Sequence, residues 1–232
     1  VIASIVTTYN FKKYWAARLF ERLTKGLATQ YMANSNSVKE AYVKKFGVRE
    51  HKITVVPRGI DIGFFSNTEN IQQLQHVFAI LPTDRVIICV ANLHPNKGHQ
   101  YLLTAFEKLY HTHSNVKLLI VGEGIEREKL LSQISNYQSK SAILFLGKRD
   151  DVVMLLQMSH VFVLPTFFEG MSNAIMEAMA NGLPIITSDI PENRELITHD
   201  ENGLLCPIKD SDCLTEMLKQ LIQNETLAEN LG

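Results

Sequence analysis

Two carboxylates eight residues apart, Glu169 and Glu177, hold the densest chemistry in this chain. Glu169 lies in a short loop, Thr166 to Met171. Glu177 lies in an apolar helix, Ala174 to Asn181, opened by Ser172 and Asn173 and ended by Gly182 and Pro184. An ionised carboxylate among Ala174, Ile175, Met176, Ala178, Met179 and Ala180 needs a partner. A pair of sugar hydroxyls fits, because one carboxylate accepts two hydrogen bonds at once. The helix start adds unpaired N–H groups and a positive dipole end, which favour an anion. As plain helix-terminal acids, the two would each contribute under about 1 kcal/mol.

Lys97 is the third such residue. It closes the loop Val90-Ala91-Asn92-Leu93-His94-Pro95-Asn96-Lys97-Gly98, just before a helix, where a cation opposes the helix dipole unless a negative ligand is present. Gly122-Glu123-Gly124 resembles the start of a dinucleotide fingerprint, but its third glycine would fall at Arg127, and Glu123, Glu126 and Glu128 would repel a pyrophosphate. It reads as a tight strand-to-helix turn. Asp210-Ser211-Asp212 reads as a helix N-cap rather than a metal pair, and His111-Thr112-His113 as solvated residues at a helix end. No metal site is expected.

The elements that position these residues follow from periodicity. Strands are expected at Val86–Val90, Lys117–Val121, Ile143–Leu146, Val161–Leu164 and Pro184–Thr187. Helices are expected at His99–His111, Ile125–Tyr137, Asp150–Met158, Ala174–Asn181, Glu192–Ile197 and Ser211–Gln223. Strands alternating with helices imply a parallel sheet covered on both faces. Ligands bind such sheets beyond the carboxyl ends of the strands, which is where the Lys97 and Glu169 loops fall. Residues 1–60 read as strand, helix, strand, helix, strand. A helix spans Phe11–Lys25, a capping box Ser37-Val38-Lys39-Glu40 opens a helix to Phe46, and a strand spans Ile53–Val56. These are too few elements to close a doubly wound sheet, so they read as the last third of a domain.

The chain has 232 residues, is 46% hydrophobic and carries a net charge of −1. That balance hides an asymmetry: residues 1–60 hold 11 basic and 3 acidic side chains, residues 61–232 hold 12 and 21. Nucleic-acid binding would want denser basic clusters with stacking residues between them, and none is expected. The Phe11–Lys25 helix reads as core-packed with a solvated basic face, with contact to an anionic bilayer as the sharper alternative. No apolar run approaches membrane-spanning length and the start does not resemble a signal peptide. Cys89, Cys206 and Cys213 lack metal spacing, and Cys89 in its apolar strand reads as a buried small residue. A reducing, cytoplasmic setting is expected.

The stretch Phe168-Glu169-Gly170-Met171-Ser172-Asn173-Ala174-Ile175-Met176-Glu177-Ala178-Met179-Ala180-Asn181-Gly182-Leu183-Pro184-Ile185-Ile186 resembles the E-x7-E signature of glycosyltransferase family 4, retaining enzymes of the GT-B fold. Three further pieces match in order. Val56-Pro57-Arg58-Gly59-Ile60-Asp61 with Phe65 resembles the hinge between two domains, Asn92 to Gly98 the first phosphate loop, and Glu201-Asn202-Gly203-Leu204-Leu205 a late turn. The resemblance implies an α/β chain: a Rossmann-like doubly wound donor domain at 84–232, a hinge at 61–83, and the tail of a second Rossmann-like acceptor domain at 1–60.

The resemblance also implies roles. Glu169 would hold donor-sugar hydroxyls and Glu177 the ribose hydroxyls. The backbone of Gly170, Met171 and Ser172, beside Asn173, would meet a diphosphate that Lys97 pairs with. Lys148 and Arg149, after Gly147, would flank the base largely through backbone. The family's Gly-Arg is Ala91-Asn92 here, so the usual arginine is replaced by Asn92. Arg58, where the hinge often has asparagine, is expected to supply the second positive charge.

The implied reaction moves a hexose or N-acetylhexosamine from a UDP- or GDP-sugar to a glycan or lipid-linked acceptor in cell-surface polysaccharide synthesis. It needs no cofactor and no metal. It would take place in the cytoplasm or at the inner membrane face, reached through the basic N-terminal segment. The family's N-terminal glycine-rich loop and catalytic-region histidine have no counterpart here, so the chain alone is expected to be inactive. A non-catalytic nucleotide-sugar-binding module and a GT-B-like sugar-nucleotide epimerase are the alternatives; Arg127 disfavours a nicotinamide-binding domain.

Overall fold

A computed structural model of the chain describes residues 2–5, 23, 27–60 and 71–232. It divides into two compact units: Val1–Gly59 with Phe168–Asn173 and Ile190–Leu196, and Ile60–Phe167 with Ala174–Asp189 and Ile197–Gly232.

In the first unit, β1 (Ile2–Ile5), β2 (Gln30–Ala33) and β3 (Ile53–Val55) pair in parallel in that order. The register aligns Ala3 with Tyr31 and Ile53, and Ile5 with Ala33 and Val55. Side chains alternate across a strand, so these six share one face. That face meets α1 (Asn36–Phe46), which buries Val38, Tyr42 and Phe46 at helical spacing. Gly47, left-handed at φ 64°, ends the helix by donating to the Val43 carbonyl at 3.0 Å. The expected Phe11–Lys25 helix lies, Leu23 apart, outside the described residues.

The cap of α1 corrects the sequence reading. Ser35, not Ser37, is the N-cap: its hydroxyl accepts from Val38 N at 3.2 Å. The Glu195 carboxylate takes the place expected of Glu40. It accepts from Asn36 N at 2.8 Å, from Ser37 N at 2.6 Å, and from the Ser37 hydroxyl. Glu195 follows a short helix, α7 (Pro191–Arg194), so the partner comes from far along the chain and leaves no local pattern.

The second unit holds six parallel strands: β4 (Arg85–Val90), β5 (Val116–Val121), β6 (Ile143–Gly147), β7 (Val161–Leu164), β8 (Ile185–Ser188) and β9 (Leu204–Cys206). Their order is β6-β5-β4-β7-β8-β9. The chain winds outward from β4 in one direction and from β7 in the other, so the order reverses between these two neighbours. This is the switch point where doubly wound sheets open a crevice.

Every residue of β7 and β8 is buried, as a sheet covered on both faces requires. The covering helices are α2 (Ile71–Val77), α3 (His99–Tyr110), α4 (Arg127–Gln133), α5 (Val152–Gln157), α6 (Asn173–Ala180), α8 (Ser211–Gln223) and α9 (Glu225–Leu231). α3 packs on α8 through faces that bury Leu102, Phe106 and Leu109 on one side and Leu214, Leu218 and Leu221 on the other.

Four elements differ from the sequence reading. The helix expected to reach Tyr137 stops at Gln133 and continues as tighter turns at Ile134–Asn136 and Gln138–Ala142. There the Glu107 carboxylate captures Gln138 N at 3.0 Å and Ser139 N at 3.1 Å, amides that a continuing helix would have used internally. α2 lies in the stretch assigned to a hinge; it has only seven residues and buries none of them fully, although Ile71, Leu74 and Val77 recur at helical spacing. β9, read as part of a turn, has three residues, too few to show alternation. α9 was not foreseen, although Asn224 caps it by accepting from Leu227 N at 3.0 Å.

Candidate functional site

The loops beyond the carboxyl ends of β4, β5 and β6 are joined backbone to backbone. Ala91 N donates to Val121 O at 3.0 Å, Leu93 N to Glu123 O at 2.9 Å and Gly122 N to Gly147 O at 2.8 Å. Such close approach leaves no room for side chains. A Cβ on Gly122 would stand 2.0 Å from Ala91 O, and one on Gly124 2.3 Å from Leu93 O. Gly122-Glu123-Gly124 is therefore a packing turn between neighbouring loops.

The Lys97 loop crosses the switch point and locks onto the loop after β7. Pro95–Lys97 forms a single tight turn and Gly98, at φ 71°, starts α3. A Cβ on Gly98 would lie 2.0 Å from Pro165 O. Asn96 O accepts from Phe167 N at 2.7 Å and from the Thr166 hydroxyl at 3.1 Å, and the Tyr101 and Phe167 rings meet edge-on at 5.8 Å. Lys97 is thus carried, half-buried, at the start of a twelve-residue helix by a turn bonded across the crevice.

Behind it sits His99, 2% exposed, with neither ring nitrogen bonded. Burial, then the Lys97 charge, depresses its pKa to about 4, against a smaller opposing effect of Glu126. A lone histidine beside a lysine-glycine pair offered no signal of this.

Glu177 occupies the second turn of α6, half-buried beside Ile175, Met176 and Ala178, which are buried. Burial alone raises its pKa above the usual carboxylate value; no cation or donor among the described residues lowers it. The partner that the sequence demanded is not supplied by any described residue, and the carboxylate is open to a ligand.

In the first unit, Glu169 and Met171 are half-buried and Gly170 and Ser172 buried. Exposed Asn173 accepts a hydrogen bond from Arg58 Nη1 at 3.2 Å. That bond ties Arg58 to Asn173 within the first unit.

Asn92, Lys148 and Arg149 line a cavity of about 340 Å³ at the carboxyl ends of β4, β5 and β6, floored by Val90, Val121 and Val152. Lys148 and Asn92 are exposed. Arg149 is committed elsewhere: Nε and Nη2 donate to the two Asp151 carboxylate oxygens at 2.7 and 2.5 Å, and its guanidinium lies 5.8 Å from the Phe78 ring. This forked pairing holds the Arg149 pKa above and the Asp151 pKa below their ordinary values. Arg149 therefore builds the cavity wall, while the backbone beside it stays available.

Asp210 caps α8, accepting from Cys213 N at 2.9 Å, as its position implied. His113 bonds Gln223 at 2.9 Å, and no metal-binding cluster of histidine, cysteine or acidic residues occurs among the described residues.

A six-stranded parallel sheet, doubly wound about a switch point, defines an α/β fold, and close likeness to solved GT-B structures shows the same fold. Anabaena HepE, solved in complex with UDP and glucose, matches with a TM-score of 0.88 at 21% identity, over 99% of this chain and 64% of that one. WaaG, described as a glycosyltransferase involved in lipopolysaccharide biosynthesis, matches with a TM-score of 0.82 at 21% identity, over 95% and 61%.

The family model for glycosyl transferases group 1 matches residues 70–232, and that for glycosyltransferase family 4 matches residues 4–64. The chain belongs to the glycosyl transferases group 1 family. The UDP-Gal:alpha-D-GlcNAc-diphosphoundecaprenol alpha-1,3-galactosyltransferase of Escherichia coli is 30% identical over 232 residues, 97% of this chain and 57% of that protein. The N-acetyl-alpha-D-glucosaminyl L-malate synthase of Bacillus anthracis is 33% identical over 160 residues, 69% of this chain and 42% of that protein. The chain spans about half the length of the curated relatives it matches.

Proposed function

We propose that the protein to which this chain belongs transfers a hexose or N-acetylhexosamine from a UDP- or GDP-sugar to a glycan or lipid-linked acceptor in cell-surface polysaccharide synthesis, with retention of anomeric configuration. The observation that carries this reading is Glu177: a half-buried carboxylate with no partner among the described residues, on the helix that follows β7. Two neighbouring ribose hydroxyls supply the missing donors. The Escherichia coli relative that uses UDP-Gal and a diphosphoundecaprenol acceptor, and the fold neighbour solved with UDP, support a nucleotide donor and a lipid-linked acceptor.

Each role follows from charge. Cleavage of the sugar–phosphate bond leaves added negative charge on the departing nucleoside diphosphate. Lys97 and the start of α3 stabilise that charge, so the reading requires no metal and no cofactor. Glu169 positions the sugar and Glu177 the nucleoside, which holds the anomeric carbon in place. Gly170, Met171 and Ser172 offer backbone N–H groups, with Arg58 brought to Asn173 beside them to replace the arginine absent at Asn92. The cavity wall at Lys148 and Arg149 receives the base. The acceptor attacks from the face the leaving group departs.

No helix among the described residues is long and apolar enough to cross a membrane. Action in the cytoplasm, with the basic segment 1–60 touching the inner membrane face, fits the charge asymmetry.

UDP binding by the complete protein, followed by calorimetry, tests the reading. Glu177→Ala removes charge-assisted bonds of about 1.5–3 kcal/mol and is expected to weaken UDP at least about tenfold. Glu169→Ala is expected to leave UDP affinity within about twofold while abolishing radiolabelled sugar transfer. Equal UDP affinity in Glu177→Ala would overturn the assignment. Conversion of donor without any acceptor would mark an epimerase instead.

A further inference from the structure

Two Asn-Gly pairs lie in the second unit: Asn181-Gly182 just past the end of α6, and Asn202-Gly203 just before β9. Such a pair is prone to lose ammonia, because the glycine nitrogen has no side chain beside it to hinder attack on the asparagine amide carbon. The structure bonds the two pairs in opposite ways.

At the first pair, Asn181 Nδ2 donates to Glu177 O at 2.7 Å and Gly182 N donates to Met179 O at 3.0 Å. The nitrogen that would leave and the nitrogen that would attack are both held. At the second pair, Asn202 Oδ1 accepts from Thr198 N at 2.7 Å, and Gly203 N meets no acceptor among the described residues. The amide oxygen therefore already faces an N–H where negative charge gathers as its carbon is attacked. Asp200 N donates to Gly203 O at 2.9 Å and Leu205 N to His199 Nδ1 at 2.9 Å, which hold the turn on either side. Packing also keeps a glycine in place: a Cβ on Gly203 would stand 3.0 Å from Ile185 O and from Ile197 Cγ2.

We propose that Asn202 is a site of spontaneous deamidation in the folded protein, and that Asn181 is protected from the same reaction. Gly203 N loses its proton and bonds to Asn202 Cγ. The Cγ–Nδ2 bond breaks, and the amide nitrogen leaves with that proton as ammonia. A five-membered succinimide now joins residues 202 and 203. One water opens it. Cleavage of the new bond from Cγ to nitrogen gives aspartate at position 202, and cleavage of the original peptide bond gives isoaspartate. One water enters and one ammonia departs.

The isoaspartyl product routes the main chain through Cγ and so adds one carbon ahead of Leu204, which pairs with Ile186. β9 is the last strand of its sheet, so only its pairing with β8 resists the shift.

Exposure alone would select the other pair, since Gly182 is exposed and Gly203 buried. The test separates the two readings. The complete protein is aged in mildly alkaline buffer, folded or in urea, and digested with trypsin. Cleavage after Arg149, Arg194 and Lys209 puts Asn181 in peptide 150–194 and Asn202 in peptide 195–209, where it is the only asparagine. In the folded protein, conversion of amide to carboxyl is expected at least about tenfold faster at Asn202 than at Asn181. In urea the two are expected to agree within about twofold. Isoaspartyl methyltransferase is expected to label peptide 195–209.

Comparable rates in the folded protein, or a faster Asn181, overturn the proposal. So does an Asn202 that converts only in urea. Asn202→Gln, whose ring would need six members, is expected to end the mass gain in peptide 195–209; a persisting gain places the reaction elsewhere and also overturns it. The isoaspartyl fraction, separated by ion exchange, is expected to unfold at a lower urea midpoint than fresh protein. Equal midpoints overturn the effect on β9.

Discussion

The two ends of the six-stranded sheet each carry a cavity, and they are built in opposite ways. At the amino end of the strands, a space of about 240 Å³ is lined by Arg85, His160, Asn181, Gly182 and Glu225. Its charges answer one another: Arg85 Nη2 lies 3.2 Å from Glu225 Oε1, and His160 Nδ1 accepts from Val86 N at 3.0 Å. At the carboxyl end, backbones fit so tightly that Gly98, Gly122 and Gly124 admit no Cβ, while Glu177 meets no donor among the described residues. Enclosure alone does not mark a functional site. Rigid loops that leave selected polar groups unanswered do.

Glycines give the sharpest contrast. Gly98 and Gly182 both have left-handed backbones, at φ 71° and 64°, but a Cβ on Gly182 meets nothing within 4 Å. Gly98→Ala is expected to destabilise the protein by more than about 3 kcal/mol and to abolish UDP binding. Gly182→Ala should show only the left-handed penalty, about 1–2 kcal/mol, with binding intact. Chemical denaturation with parallel UDP titration checks both; equal losses would erase the distinction between the ends.

A cation at each end provides the next comparison. Lys97→Ala is expected to weaken UDP about tenfold or more, whereas Arg85→Ala, which removes only an exposed pair to Glu225, should change it less than about twofold. Comparable losses would locate the nucleotide elsewhere.

Each end also holds a histidine near a lysine or arginine, His99 buried and His160 half-buried. Burial is the main cause of depression at both His99 and His160, followed by Lys97 and Arg85 respectively. A depressed histidine contributes stability above its unfolded pKa, 6.5, and that stability is lost as pH falls through the folded value, about 4 for His99. Stability is therefore expected to decline from pH 6.5 toward 4, and His99→Leu to remove roughly half of the decline. Urea titrations across that range measure it; an unchanged slope would show that His99 takes up no proton on unfolding.

The smallest effect is a trade of binding for stability. Glu177 has a raised folded pKa, so its contribution to stability is full at acid pH and lost as pH rises through that value. At neutral pH, Glu177→Gln should stabilise the unliganded protein by under about 1 kcal/mol while weakening UDP. A lower melting temperature would point to a structural partner for this carboxylate.

The sheet of the second unit was legible because its strands are continuous apolar runs. Val161–Leu164 and the helix Ser211–Gln223 emerge at the expected bounds. Glu177 was legible for a related reason, a charge in an apolar helix. The clamp of Asn96 on Thr166 and Phe167 was not, because it uses a backbone carbonyl that any residue type carries. The Arg149–Asp151 fork was hidden as well: its spacing is local, but nothing in the sequence says whether the guanidinium turns toward a ligand or back to its neighbour. At α1 the reading was two residues out, because Ser35 and Ser37 are equally good caps locally and the far-off Glu195 decides between them.

That carboxylate carries a consequence for biogenesis. Asn36 and Ser37 leave the ribosome well before Glu195, from which they are separated by 159 and 158 positions. At common elongation rates the interval is roughly ten to thirty seconds. Until it ends, the first turn of α1 must rely on water or a chaperone for its hydrogen bonds, which makes this corner of the nascent polypeptide the place to look for delayed protease resistance during translation.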